Sequence, residues 1–128
     1  MNWRWVSQAA VEQIQVEQID RFGGLRGIRD SSLLESALAR PVNKAAYGEP
    51  EVHDLAAAYL YGILRNHPFI DGNKRTGILV AAVFLAKHGY ALTADNGLVY
   101  QFVMDVAAGA VEEAETARWF RDFTERRA

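Results

Sequence analysis

Two apolar segments of helical spacing decide most of what this chain can fold into. Residues 55–64 are strongly hydrophobic, and residues 78–86 are apolar nearly all round. A helix of the second kind is buried on most of its surface, so other helices must cover it. Pro68 lies between the two. It cannot continue a helix, and it biases His67 before it toward extended backbone. Residues 67–76 therefore form a loop that leads, from Gly72 onward, into the start of a core helix. Such a start carries unpaired backbone N–H groups and the positive end of the helix dipole, a natural anion site.

The remaining elements read as helices joined by short links. Trp3 and Trp5 fall on one face of a short extended segment. Ser7 is placed to cap a helix reaching about Phe22, with Val11, Ile14, Ile19 and Phe22 as its apolar stripe. Gly23 and Gly24 end it, and Gly27 keeps the following connector mobile. A second helix is expected from Ser32, where Ser32 and Glu35 fit a capping box, to Pro41. Residues 41–52 read as a linker with a turn at Tyr47-Gly48-Glu49-Pro50. Asp54 is placed to cap a helix over residues 55–66, leaving His53 solvated. Lys87-His88-Gly89 closes the core helix, with His88 as an ordinary helix-end residue. Residues 90–93 suggest a short extended link. Asp95 or Asn96 caps a helix from Leu98 to about Ala108 that turns Phe102, Val103 and Val106 inward. The last helix is expected over residues 112–126, acids first and arginines last, with Trp119, Phe120 and Phe123 on the core. The expected architecture is all-α: one domain over residues 1–128, a helical bundle around a central buried helix with at most short β segments.

Composition removes several function classes. A formal charge of −2 argues against direct binding of nucleic acid, which favours basic domains. The absence of cysteine excludes thiol catalysis and cysteine-type zinc sites, and it fits a cytoplasmic location. His53, His67 and His88 lack metal-ligand spacing. No signal region opens the sequence, and the longest apolar run is about half of a membrane span.

The loop over residues 67–76 concentrates chemistry. His67 is the side chain there that exchanges a proton near neutral pH. Asp71 suits a hard divalent cation, which binds one or two carboxylates together with phosphate oxygens. Gly72 lets backbone approach a ligand closely. Asn73, Lys74 and Arg75 bring amides and positive charge to the helix start, where cations oppose the dipole but serve a phosphate. Arg65 adds a further cation, and Phe69 anchors the loop in the core. Base, metal ligand and phosphate cradle are the parts that phosphoryl or nucleotidyl transfer to a hydroxyl requires. Taken singly, each residue also fits an ordinary loop, and Asp-Gly-Asn alone is a common turn.

The run His67-Pro68-Phe69-Ile70-Asp71-Gly72-Asn73-Lys74-Arg75-Thr76 resembles the motif of the Fic/Doc superfamily, His-x-Phe-x-Asp/Glu-Gly-Asn-x-Arg. Upstream, Gly23-Gly24-Leu25-Arg26 and Leu33-Leu34-Glu35-Ser36-Ala37-Leu38-Ala39-Arg40-Pro41 also look like Doc-type sequence, so the resemblance covers most of the chain. Lys74 stands where typical Fic adenylyltransferases carry glycine. Ile78 stands where they carry a second arginine. The Lys74 variant resembles the death-on-curing (Doc) toxins, while the missing arginine gives weight to a module that has lost the chemistry. The resemblance implies that His67 is the base for a target Ser/Thr hydroxyl and that Asp71 holds Mg²⁺. It implies that Gly72, Asn73, Lys74 and Arg75 hold the phosphates of ATP. It further implies transfer of the γ-phosphate, with elongation factor Tu as the protein substrate and translation blocked. A cognate antitoxin would silence the enzyme by laying a helix in a groove.

Two other readings stay open: transfer of AMP in the Fic manner, and a binding module that kept the fold and lost the chemistry. Some Fic proteins also carry an inhibitory Ser/Thr-x-x-x-Glu helix. Ser31 and Glu35 have that spacing, but Ser36 departs from its last position. With Glu35 as a capping residue, inhibition comes from outside the chain.

Overall fold

The element order is α1 (Gln8–Phe22), α2 (Ser31–Ala46), α3 (Val52–Asn66), α4 (Asn73–Lys87), β1 (Tyr90–Leu92), α5 (Asn96–Ala107), α6 (Glu113–Asp122) and β2 (Thr124–Arg126). This is a computed structural model, which describes residues 2–127. It is an all-α fold with one antiparallel two-strand clasp, in which Tyr90, Ala91 and Leu92 face Arg126, Glu125 and Thr124. No helix among the described residues is long and apolar enough to cross a membrane.

The axis of the bundle is α3. Every residue from Leu55 to Leu60 is buried, so the helix has no solvent face there. It packs against α2, α4, α5 and α6. Its small residues let neighbours close in: a Cβ on Gly62 would lie 3.2 Å from the Ala37 carbonyl oxygen. Likewise, a Cβ on Gly77 of α4 would lie 3.1 Å from Leu60. The α4 helix is covered less completely than its composition suggests. Val80, Ala81, Phe84 and Leu85 are buried, while Ile78, Leu79, Ala82 and Val83 are half-covered.

Several boundaries match the sequence reading. Ser7 caps α1 by accepting from the Ala10 amide at 3.1 Å. Asp95 caps α5 through the Leu98 amide at 2.8 Å, and Phe102, Val103 and Val106 are buried. Trp3 and Trp5 share a face and both lie against Phe84, with centroids 6.2 and 5.8 Å away. Phe120 is fully buried, and Trp119 stacks on Phe102 at 3.8 Å.

Other boundaries move. Asp30, not Ser32, caps α2, through the Leu33 amide at 3.1 Å. Pro41 lies inside α2, which runs on to Ala46 through the expected linker. Proline removes one donor, to the Ala37 carbonyl, but the helix on either side keeps its own bonds and its packing on α3. Glu51 rather than Asp54 caps α3. Asp54 takes the reciprocal place in the capping box, accepting from the Glu51 amide at 2.8 Å. The last helix stops at Asp122, and residues 124–126 pair with β1 instead. In α1, Val11 and Ile19 are buried and Ile14 is half-buried, as expected, but Phe22 is 56 % exposed and Gln15, 1 % exposed, joins the buried face. His53 is not solvated: it is half-buried, its Nε2 2.9 Å from Thr124 Oγ1 and its ring edge-on to Tyr90.

Candidate active site

The loop between α3 and α4 is held from both sides. Phe69 is 1 % exposed and anchors its middle. Ile28 pairs with Phe69 in an isolated antiparallel bridge, and the Ile70 amide donates to Gly27 O at 3.0 Å. Arg29 clamps the end of α3, donating to the carbonyls of His67 at 2.8 Å and Asn66 at 3.0 Å. Asn66 in turn donates to Leu33 O at 2.9 Å. These bonds tie the 23–30 segment to the site, so the segment expected as a mobile connector is a wall of it.

His67 closes α3 in the left-handed region, with φ 50° and ψ 54°. It is the sole non-glycine residue with positive φ among the described residues. The bias toward extended backbone before proline is overridden by the helix end and by the Arg29 clamp on its carbonyl. Backbone strain of this kind costs about 1–3 kcal/mol and persists where the surroundings impose it. Gly72 makes the second left-handed turn, with φ 74°, and starts α4.

The opening of α4 has no side-chain cap and no acidic residue in its first turn. The Thr76 amide reaches Gly72 O, the first bond of the helix. The amides of Asn73, Lys74 and Arg75 therefore have no helical partner, with two cationic side chains beside them. The Gly72 amide is engaged already, by Asp71 Oδ1 at 2.9 Å. A cavity of about 530 Å³ faces this opening. His67, Asp71, Gly72, Asn73, Lys74 and Arg75 line it on one side, and Asn96, Val99, Tyr100, Val103 and Met104 of α5 on the other. The structure thus gathers six of the sequence-derived candidates around one volume. Arg65 is not among them. Its guanidinium lies over the Tyr61 ring, 5.6 Å from the centroid, on the exposed side of α3. Arg75 also stacks on an aromatic ring, Phe22, at 4.9 Å.

Asp71 fits a single-carboxylate cation site. Its Oδ2 accepts from the Leu25 amide at 3.3 Å and its Oδ1 from Gly72, which leaves lone pairs on both oxygens. A Cβ at Gly24 would lie 2.5 Å from Asp71 Oδ2, so the bare glycine makes room for the carboxylate. Among the described residues no three His, Cys, Asp or Glu side chains gather to hold a metal by themselves. A cation here would take its remaining ligands from water and phosphate, which is the habit of Mg²⁺.

Sequence reasoning missed three residues that shape the site: Arg29, Asn66 and Gln15. Gln15 Nε2 donates to the Asp71 carbonyl at 3.1 Å and the Leu25 carbonyl at 3.3 Å. Its Oε1 accepts from the Gly27 amide at 3.4 Å. The signal available in the sequence was a lone amide inside an otherwise apolar helix face.

Comparison with known proteins agrees with this geometry. Residues 5–85 match the model of the Fic/DOC family. The chain is 41 % identical over 98 residues to Toxin Doc of Mycolicibacterium smegmatis, a span of 74 % of this chain and 70 % of that protein. It is 29 % identical over 119 residues to Protein kinase doc of Escherichia phage P1, covering 92 % of this chain and 94 % of that one. The match takes in the loop, the glycine-lined wall and the helices that position them: this chain belongs to the Fic/DOC family.

Proposed function

We propose that this protein is a Doc-like toxin that transfers the γ-phosphate of ATP to a Ser/Thr hydroxyl of a protein, with elongation factor Tu as its substrate. One observation carries the reading: the uncapped amide end of α4, flanked by Lys74 and Arg75, opens into the same cavity as the imidazole of His67. Amides 73–75 and the Arg75 guanidinium hold phosphate oxygens, and pre-aimed donors stabilise the charge that builds there during transfer. Lys74 fills part of the cradle that a glycine would leave open, which orients the triphosphate with its γ end toward His67. The hydroxyl oxygen bonds to the γ-phosphorus as the bond to the bridging oxygen breaks and ADP leaves. The hydroxyl proton passes to His67. Asp71 would hold Mg²⁺, which neutralises phosphate charge when bound. The kinase name of the phage relative supports phosphate over AMP as the group moved.

The α5 side of the cavity suits a regulatory partner. Tyr100 is 66 % exposed and Met104 36 % exposed, beside Val99 and Ile78. An antitoxin helix with an apolar face lies there in the reading we favour, covering the nucleotide site.

Incubation with purified elongation factor Tu and Mg·ATP tests the proposal. Intact mass of the target should rise by one phosphate, and His67→Ala should lower the rate at least ~10²-fold and relieve growth arrest. Addition of AMP would replace the reading with nucleotidyl transfer. Growth arrest unchanged in His67→Ala would make the protein a binding module.

A further inference from the structure

The side-chain amide of Asn73 has one orientation open to it. The residue is 4 % exposed. Its Oδ1 accepts from the Phe69 amide at 3.0 Å, and its Nδ2 donates to the Phe69 carbonyl at 3.0 Å. Turned over, it would set donor against donor and acceptor against acceptor. With the orientation fixed, the second hydrogen of Nδ2 meets His67 Nδ1 at 3.2 Å. An amide nitrogen donates and does not accept, so Nδ1 must be the acceptor. In a neutral imidazole one nitrogen accepts and the other carries the proton.

We infer that Asn73 latches neutral His67 in its Nε2–H tautomer, so that the resting ring offers a ligand an N–H donor rather than a lone pair. The other tautomer would point Nδ1–H at a buried N–H and leave that donor unpaired. A hydroxyl proton can be taken up at Nε2 only after the proton there has left. The Asn73 contact must therefore open before His67 acts as a base. Asn73 is a positioning residue whose release couples substrate binding to proton acceptance. This consequence for catalysis rests on the proposed role of His67; the tautomer itself does not.

The chain contains its own reference. His88 has the opposite environment: Nε2 accepts from the Arg4 amide at 3.0 Å, and Nδ1 lies 2.8 Å from the Phe84 carbonyl, to which it donates. His88 is therefore the Nδ1–H tautomer.

Nitrogen-15 spectra of the imidazole rings in the full chain, at a pH where the rings are neutral, read both states directly. His67 is expected as Nε2–H by about tenfold or more, since the alternative leaves a buried donor unpaired, and His88 as Nδ1–H. A free histidine also leans toward Nε2–H, so two variants separate the latch from that preference. Asn73→Asp replaces the donor with an acceptor and should turn His67 to Nδ1–H. Asn73→Ala removes the contact and should let both forms coexist. Wild-type His67 found as Nδ1–H overturns the inference, as does a tautomer ratio unmoved in whichever variant folds. A latched wild-type ring in a protein that transfers no phosphate upholds the latch and removes the kinase reading instead.

Discussion

Gln15 ties three parts of the site together from a position two turns into α1, and its contacts set a measurable cost. Replacing it with leucine keeps the volume but leaves the Asp71 and Leu25 carbonyls without their donor. Gln15→Leu is expected to destabilise the fold by about 1–3 kcal/mol, read from urea unfolding. The gathering of residues 67 and 71–75 around one cavity was legible in the sequence because it is local: a helix start, a glycine and two cations lie next to one another in the chain. Gln15 was not: periodicity sets it between Val11 and Ile19 on the inner face, but the amide's polarity argued against burial. Its partners lie on a loop whose path the sequence does not give. Arg65 failed for the complementary reason. It is near His67 in sequence, but the turn of α3 carries its side chain to another face. Arg29 is separated from the His67 carbonyl it clamps by 38 positions, too far for any local pattern to suggest.

At the scale of elements, helix packing depends on two glycines that the sequence presents as helix-weakening. Gly77 lets α4 approach Leu60 of α3. Gly77→Val would push its side chain into that contact, and overpacking of this kind costs about 1–3 kcal/mol. A thermal melt of the variant should show the loss, with helix content near that of the parent. Gly62 does the same where α2 passes α3, beside the carbonyl that Pro41 leaves without a helical donor. The existence of all the main helices was readable from apolar spacing and caps. The run of α2 through Pro41 was not, because local rules weigh proline as a stop while packing against α3 keeps the helix going. Residues 124–126 also escaped, since arginines near a C-terminus suit a helix end. What makes them a strand is the edge offered by Tyr90 to Leu92, which is distant in sequence.

Across the whole molecule, acid should loosen the end of α3 opposite the candidate active site. There His53 of α3 meets Thr124 of β2, 71 positions away. The Thr124 hydroxyl donates its hydrogen to the Phe120 carbonyl at 2.6 Å. His53 must then donate from Nε2, which leaves Nδ1 buried and without a partner. Protonation would create a buried N–H with nothing to accept it. Burial, and then the nearby Arg121 charge, hold the ring below its ordinary pKa, outweighing Glu51 and Asp54. The unfolded chain therefore binds this proton more readily than the folded one. Stability is full above about 6.5, falls as the pH drops from there through the lowered folded value, and is level below it. Urea unfolding at pH 7.5 and 5.5 should show that loss, and His53→Gln should shrink it. Glu113 acts in a lower window. Burial pushes its carboxyl up, but bonds from Lys44 and Arg40 prevail and hold it below the usual range. Its contribution is lost only as carboxylates protonate.

Under the role proposed for His67, its left-handed backbone sets durability against activity. Apart from glycine, asparagine is among the residues that visit that conformation most readily, because its short polar side chain bonds locally. His67→Asn also keeps an oxygen acceptor for the Asn73 amide, so urea unfolding should show it more stable by about 0.5–1 kcal/mol, part of the cost of such strain, while the proton transfer proposed for His67 is lost. Selection for persistence alone would discard the imidazole. A lineage in which the proposed activity no longer matters would thus be expected to drift first at this position, toward a sturdier protein.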